Sequence, residues 1–449
     1  MNQFARCHRS VMTALSLAVL ACFSPLHLSA STAVVTPPGT TPCKNLTTFN
    51  TISAAVTAVP SGSVIYICPG TYAEQVMITK KLTLIGVAGN GLSGAMASGS
   101  NNPVIVSPAG GVGVNAYDLY DGSPIAAQMA VLSPGGTVSI SNLTVDGSNN
   151  GLNGCGTDLV GIYYQNASGT VSHVVTRFQE LPPADFGCQD GLAIFVESGY
   201  GTGGTATVTI GNSSVHDYDK NGITADGSGT VATITGNYIV GIGATPLIGQ
   251  NGIQVSDGAG GKVTNNTVTD DVYISPQGGP YYSATGILLY DSGGSSSSHL
   301  TISGNTVSNT QGAIIIYTDG AATADYNDVT SNKVTTSPAA GPYLLDGIDL
   351  CSNNNTATGN TVFNSSGSGI HIDDECTEPG PATSGNNTAL TNNTINEACA
   401  GVLTGSGTGN TVSGTITYNV VATSASGDTC PVGSSIKTKG KLKPQPKRP

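Results

Sequence analysis

A short element returns along most of this 449-residue chain: Thr or Ser beside Val or Ile, a small residue, Asn, one further residue, then Val or Ile. It reads SISNLTV at 139–145, TITGNYIV at 233–240, VTNNTV at 263–268, TISGNTV at 301–307 and TNNTI at 391–395. A second element follows, Gly with an apolar residue and then alternation, as in Gly191-Leu192, Gly222-Ile223, Gly252-Ile253, Gly286-Ile287, Gly347-Ile348 and Gly369-Ile370. Alternation of period two marks short strands with one face inside, and a repeat of 25 to 39 residues marks stacked coils. Three short strands fit each coil, so roughly a dozen coils at about 4.8 Å each give a rod about 55–60 Å long. The recurring Asn suits a bend with a left-handed backbone, and Asn side chains in successive coils can hydrogen-bond as a ladder.

Composition supports an all-β reading. Only 9% of residues are charged, against about 25% in an ordinary globular domain, too few for helices with salt-bridged faces. The 38% of hydrophobic residues are spread through the length, which opposes disorder. Eight of the 15 basic residues stand at the ends: Arg6, Arg9, Lys437, Lys439, Lys441, Lys443, Lys447 and Arg448. The body between them therefore carries a net charge of −20. Such a body repels polyanions, so nucleic acid is excluded as its partner, and a cation or a neutral polymer suits it better.

Arg6, His8 and Arg9 precede the apolar run Val11 to Leu20, followed by small residues, so residues 1–30 read as a cleaved export signal. Cys22 follows Val19-Leu20-Ala21, where the large Leu20 departs from a lipoprotein box. No later segment is long and apolar enough to span a bilayer. Eight cysteines remain after the signal, Cys43, Cys68, Cys155, Cys188, Cys351, Cys376, Cys399 and Cys430, an even number that implies disulfides in an exported chain. They fall in sequential pairs about one repeat apart, so nearest-neighbour pairing is the simplest. The expected location is secreted, periplasmic or at the cell surface.

Phe49, Ile52, Val56 and Val59 recur at helical spacing after Thr47 and Thr48, either of which can cap, so a short helix is expected to lid the first coil. The coils are expected over 43–425. Residues 431–449 form a basic Lys- and Pro-rich tail read as disordered, able to attach the rod to an anionic envelope.

The segment SVIYICPGTYAEQVMITKKLTLIG (63–86), with the short helix before it and the Asn and Gly-Ile repeats after it, resembles the right-handed parallel β-helix superfamily of pectin-lyase type. The resemblance covers about 43–425 and implies a single-stranded right-handed parallel β-helix with an N-terminal capping helix. It leaves the activity open, since that superfamily holds lyases, hydrolases, esterases, epimerases and noncatalytic proteins. The repeats are most similar to periplasmic β-helix proteins accessory to copper-enzyme maturation. Here, however, His173, His216, His299 and His371 stand well apart, and Met77, Met96 and Met129 are confined to the first third.

Acids follow the Gly-Ile element coil after coil: Glu197, Asp226, Asp257, Asp291, Asp319, then Asp373 with Asp374. They either turn the chain, as Asp-Gly does, or line a groove edge and hold Ca²⁺ between them. The densest polar cluster is His216-Asp217-Tyr218-Asp219-Lys220. Uronate lyases of the superfamily use Ca²⁺ on the substrate carboxylate and a basic side chain as proton acceptor. Lys220 or Arg177 could serve as that base, with Asp217, Asp219, Asp226 and Asp257 as calcium ligands, the alternative being a solvated turn. A second cluster, Asp346-Gly347-Ile348-Asp349 followed by His371 and Asp373, is similar to the acid pattern of polygalacturonases, but Ser368 stands where their paired Asp would be. Tyr281, Tyr282 and Tyr343, after Gly-Pro, offer flat faces to sugar rings or pack their own loops, and His371 is a further candidate contact.

Two readings follow. In the first, an exported β-helix binds extracellular polysaccharide, pectate-like or neutral, and cleaves an acidic one by Ca²⁺-assisted elimination. In the second, a disulfide-stapled rod serves as a noncatalytic structural or adhesive surface protein. The shortage of Arg and Lys along the body favours the second, and the acids around Lys220 favour the first.

Overall fold

The computed structural model describes residues 29–87, 102–188, 190–201, 203–274, 282–318, 324–336, 346–365, 367–374 and 385–426. Nearly all of the expected export signal, Tyr281, Tyr343, Cys376, Cys430 and the basic tail lie outside these residues.

Each coil consists of three strands joined by short corners. Ala206–Gly211, Ser214–His216 and Asn221–Asp226 form one, and Thr230–Thr235, Tyr238–Thr245 and Asn251–Ser256 lie on it strand by strand in parallel register. Repeated through twelve described coils, this builds three long parallel sheets. Parallel strands linked within one sheet cross over right-handedly. The protein is a single-stranded right-handed parallel β-helix, as the repeat requires.

The inside is a stack of identical side-chain positions. Ile210, Ile234, Val263 and Ile302 line the first sheet, Val215, Ile239, Val268 and Val307 the second, and Ile223, Ile253, Ile287 and Ile314 the third. All are fully buried or nearly so. This explains the Gly before Ile223, Ile253, Ile287, Ile348 and Ile370 of the third sheet, a place that Ala313 takes before Ile314. A Cβ on Gly252 would come 2.3 Å from Val268 Cγ1, and one on Gly369 would come 2.3 Å from Ile395 Cγ2, so no side chain fits there.

The corner between the first and second sheets carries the Asn repeat, but its parts differ from the expectation. In the earlier coils the repeat's own Asn142 and Asn212 take the left-handed bend as expected, with φ of 59° and 52°. In the later coils the left-handed residue is the one before the Asn: Gly236, Asn265, Gly304, Ser331, Gly359 and Asn392 all have φ between 54° and 68°. The Asn itself turns its side chain inward. In Asn237, Asn266, Asn305, Asn332, Asn360 and Asn393, each Oδ1 accepts from a backbone N–H of the preceding coil at 2.9–3.1 Å. Each Nδ2 also donates to a carbonyl of the preceding coil.

At the N-terminal end the first sheet starts before the expected boundary, with Thr32–Val35 and Thr47–Phe49. Thr47 and Thr48 are therefore strand residues, and Thr51 caps the helix Ile52–Ala58 by accepting from Ala54 N. Glu74, from the PGTYAE segment, also accepts from Ile52 N and Ser53 N at 2.7 and 2.9 Å, where a helix start favours negative charge. Ile52, Ala55 and Val56 are buried, so the helix lids the first coil.

Cys43–Cys68 and Cys155–Cys188 are bonded as nearest-neighbour pairing expects. Cys351 and Cys399 each take part in a further disulfide. Opening the Cys43–Cys68 loop with Cys43→Ser and Cys68→Ser is expected to lower stability by about 3 kcal/mol. Urea unfolding checks this, and an unchanged midpoint would refute it. Among the described residues no helix is long and apolar enough to cross a membrane.

Candidate functional site

The outward faces of the three sheets differ. On the first sheet the register Thr83, Ser139, Thr170, Thr209, Thr233 runs half-buried along the rod, a short-hydroxyl surface suited to water. On the third sheet the outward positions are mostly buried. One row runs Tyr163, Phe195, Thr224, Gln254, Leu288, Ile315, Asp349, His371, and the next runs Gln165, Glu197, Asp226, Ser256, Tyr290, Tyr317, Cys351. Connecting segments stand over it: Leu119 N donates to Glu197, Gln165 Nε2 to Tyr117 O, and Tyr200 OH to Asp226. Connecting segments thus cover part of the third sheet's outer face.

Its residues form three stations along the rod. At the first, Glu197 is 0% exposed; both carboxyl oxygens lie 3.0 Å from Leu119 N, and the Tyr163 hydroxyl donates to it. Burial, then the charge of Asp118, pushes its pKa up to about 9, so it is protonated at neutral pH. Its neighbour in register, Asp226, accepts from Tyr200 OH at 3.0 Å and from Ser256 Oγ at 2.8 Å. A carboxylic acid thus stands beside a hydrogen-bonded carboxyl group. The second station is an amide and hydroxyl network, Thr285 to Asn251 to Asn221 to Thr224, with Gln254 and Ser256. At its far side Tyr290 and Tyr317 stack, ring centroids 5.8 Å apart and 11° from parallel, beside Leu288 and Ile315.

The third station is the second acid cluster. Asp346 Oδ1 accepts from Ser368 N and Ser368 Oγ, both at 2.6 Å, and His371 Nδ1 lies 3.1 Å from Asp346 Oδ2. Asp349 sits beside His371 in register, and Asp346, Asp349 and His371 could together hold a metal ion.

The residues around Lys220 are spread out. Lys220 is buried with Nζ 2.7 Å from Gly249 O, and burial lowers its pKa to about 7. Asp219 accepts from Leu181 N at 2.7 Å, and burial raises its pKa to about 8, helped by Glu180 and Asp190. Asp217 lies in the corner with φ 53° and contacts His216 Nδ1 at 2.7 Å. Asp226 is six residues along an extended strand from Lys220, about 20 Å away. Asp257 follows the next coil's strand at Asp226's end, with φ 57°. Lys220 and Asp219 therefore mark one edge of the third sheet, Asp226 and Asp257 the other. Arg177 is on the second sheet, paired with Asp146 at 2.8 Å. Tyr282 packs against Tyr273, centroids 5.5 Å apart.

Sequence reasoning missed Tyr163, Tyr200, Tyr290 and Tyr317. Tyr290 and Tyr317 share a findable signal, the third position after the inward Ile of the third sheet, which also holds Glu197 and Asp226. Tyr200 is on a corner segment with no repeat to flag it.

No curated protein sequence matches the chain. Solved structures do. A DFA-IIIase from Arthrobacter chlorophenolicus A6 is 15% identical, with 86% of this chain and 88% of that one covered and a TM-score of 0.44. The mannuronan C-5 epimerase AlgE4 A-module of Azotobacter vinelandii is 12% identical, covering 84% and 93%, with a TM-score of 0.45. The Dettilon tailspike protein is 15% identical, covering 82% and 64%, with a TM-score of 0.41. The right-handed β-helix profile matches residues 126–337 and 249–416, more than half of the sequence, and the chain belongs to that family.

Proposed function

We propose that the protein binds an extracellular polysaccharide along the outer face of its third sheet. The observation that carries this is the run of carboxyl, amide, hydroxyl and tyrosine side chains on that face, where the first sheet shows a row of short hydroxyls. Sugar rings need hydrogen-bond partners for their hydroxyls and flat apolar faces for their C–H surfaces, and this face supplies both. Successive coils are about 4.8 Å apart, close to the length of one hexose unit, so a linear chain meets one coil per sugar. The disulfides favour a location outside the cytoplasm.

Calcium-assisted elimination from an acidic polysaccharide is a narrower version. Asp226 and Asp257 on one edge of the face offer it oxygen ligands, but Lys220 lies at the other edge, so the base must come from elsewhere. Glu197 beside Asp226 offers acid–base chemistry instead, a protonated acid next to a hydrogen-bonded carboxyl group. A noncatalytic spacer needs none of these groups.

The test is affinity electrophoresis through gels of pectate, alginate and neutral glycans, with and without EDTA, following unsaturated and reducing ends. Tyr317→Ala is expected to weaken retardation about tenfold, the worth of one aromatic contact, while Thr233→Ala on the first sheet leaves it unchanged. If no polymer retards the protein, or Tyr317→Ala binds like the parent, the groove reading is lost and the spacer reading stands.

A further inference from the structure

Two successive coils place three metal-ligating side chains on one spot of the third sheet. Asp349, in Ile348–Cys351, lies beside His371, in Ile370–Ile372, and Asp346 reaches the same imidazole from three residues upstream. One ligand atom from each lies within 4.8 Å of the other two, close enough to share an ion. All three are buried, His371 completely.

Charge points to a cation. Asp373 Oδ2 comes within 3.6 Å of the same Nδ1, so three carboxylates surround one imidazole. The sequence has no Lys or Arg between Lys333 and Lys437. Buried carboxyl groups are costly unless they are hydrogen-bonded, paired or bound to a cation. Geometry adds a separate reason. The two hydrogen bonds from Ser368 fix the Asp346 carboxyl group, the way an outer hydroxyl sets a ligand in metal centres. Ser368, which breaks the polygalacturonase-like pattern, is the residue that does this.

We infer that Asp346, Asp349 and His371 bind one divalent transition-metal cation of the zinc class. An imidazole nitrogen with carboxylates suits Zn²⁺ and its first-row neighbours, whereas Ca²⁺ takes oxygen ligands. The site is distinct from calcium at Asp217, Asp219, Asp226 or Asp257 and stands whether or not a glycan occupies the face. The ion ties the strand of one coil to that of the next and puts a Lewis acid on the same outward row as Gln254.

The untagged chain, stripped with chelator and dialysed, is titrated with ZnCl₂ by calorimetry beside Asp349→Asn and His371→Gln. One Zn²⁺ per chain is expected, with affinity about tenfold or more lower in each variant and no displacement by about a hundredfold excess of CaCl₂. No uptake by the parent, unchanged uptake in both variants, or displacement by equimolar CaCl₂ overturns the inference. Circular dichroism checks each variant's fold. Should one not fold, Co²⁺ added to the parent decides: visible bands removed by equimolar Zn²⁺ support the site, and their absence overturns it.

Discussion

Asn305→Ala is expected to destabilise the protein by about 4 kcal/mol, near the upper end for one side chain. Asn305 Oδ1 accepts from Asn266 N at 2.9 Å and from Asn266 Nδ2 at 3.0 Å, while its own Nδ2 donates to Val263 O and to Asn332 Oδ1, both at 2.9 Å. The corner is dry, with Asn266, Asn305 and Asn332 at most 1% exposed. Alanine strands two donors on Asn266 and one carbonyl on Val263, at about 1–3 kcal/mol per stranded group, with some relief as the corner relaxes. The left-handed Gly304 cannot shift to compensate, because its φ of 66° is set by the bend itself. Thr306→Ala, one position on and exposed, is the control, and should move stability by less than about 0.5 kcal/mol. Urea unfolding followed by circular dichroism reads both. Equal midpoints for the two variants would mean that the ladder only fills space.

The same row shows what the sequence could reveal. Asn recurs because a coil must stack on a copy of itself, so a requirement at one corner is repeated at the next, and repetition is visible without a structure. The Gly before most of the inward Ile residues of the third sheet is legible for the same reason. What failed at the corner was the division of labour. Asn is also a common left-handed residue, and only coordinates show Gly236 and Gly304 taking the bend while Asn237 and Asn305 turn inward. The candidate site was half legible. Glu197 and Asp226 were found because they share an offset from the repeat; Asp257 and Asp291 were grouped with them although they fall one residue later, in the corner, with φ of 57° and 48°. Sequence adjacency misled around Lys220. The run from His216 to Lys220 rounds the corner between the strand ending at His216 and the strand starting at Asn221, so it looks like one cluster, but His216 and Asp217 stay partly exposed while Tyr218, Asp219 and Lys220 are buried. The reverse holds for Asp349 and His371, which are 22 positions apart in sequence but adjacent in the sheet.

Stability is expected to fall steeply as pH rises from 5 to 7, the reverse of a protein held together by ionised carboxylates. Burial raises the folded-state pKa of Asp190 to about 7, Asp219 to about 8 and Glu197 to about 9, and drives Asp271, fully buried and accepting from Tyr218 OH at 2.7 Å, upward as well. In the unfolded chain these groups ionise near pH 4. A group whose pKa is raised by folding gives its full contribution below the unfolded value and loses it as pH climbs to the folded one. Over this window the folded chain holds protons that the unfolded chain has released, so each such group removes about 1.4 kcal/mol per pH unit. Lys220 works the other way, but only above its folded pKa of about 7, where the unfolded lysine stays charged and the folded one does not. The descent should therefore flatten between pH 7 and 9 rather than continue. Glu197→Gln removes one of the retained protons without removing the buried hydrogen-bonding group, so its urea midpoint should decline less between pH 5 and 7, by the share of a single group. A parent profile that is level or rising across that interval would show that these carboxyls are ionised in the folded protein. Glu197 would then be unable to act as an acid beside Asp226.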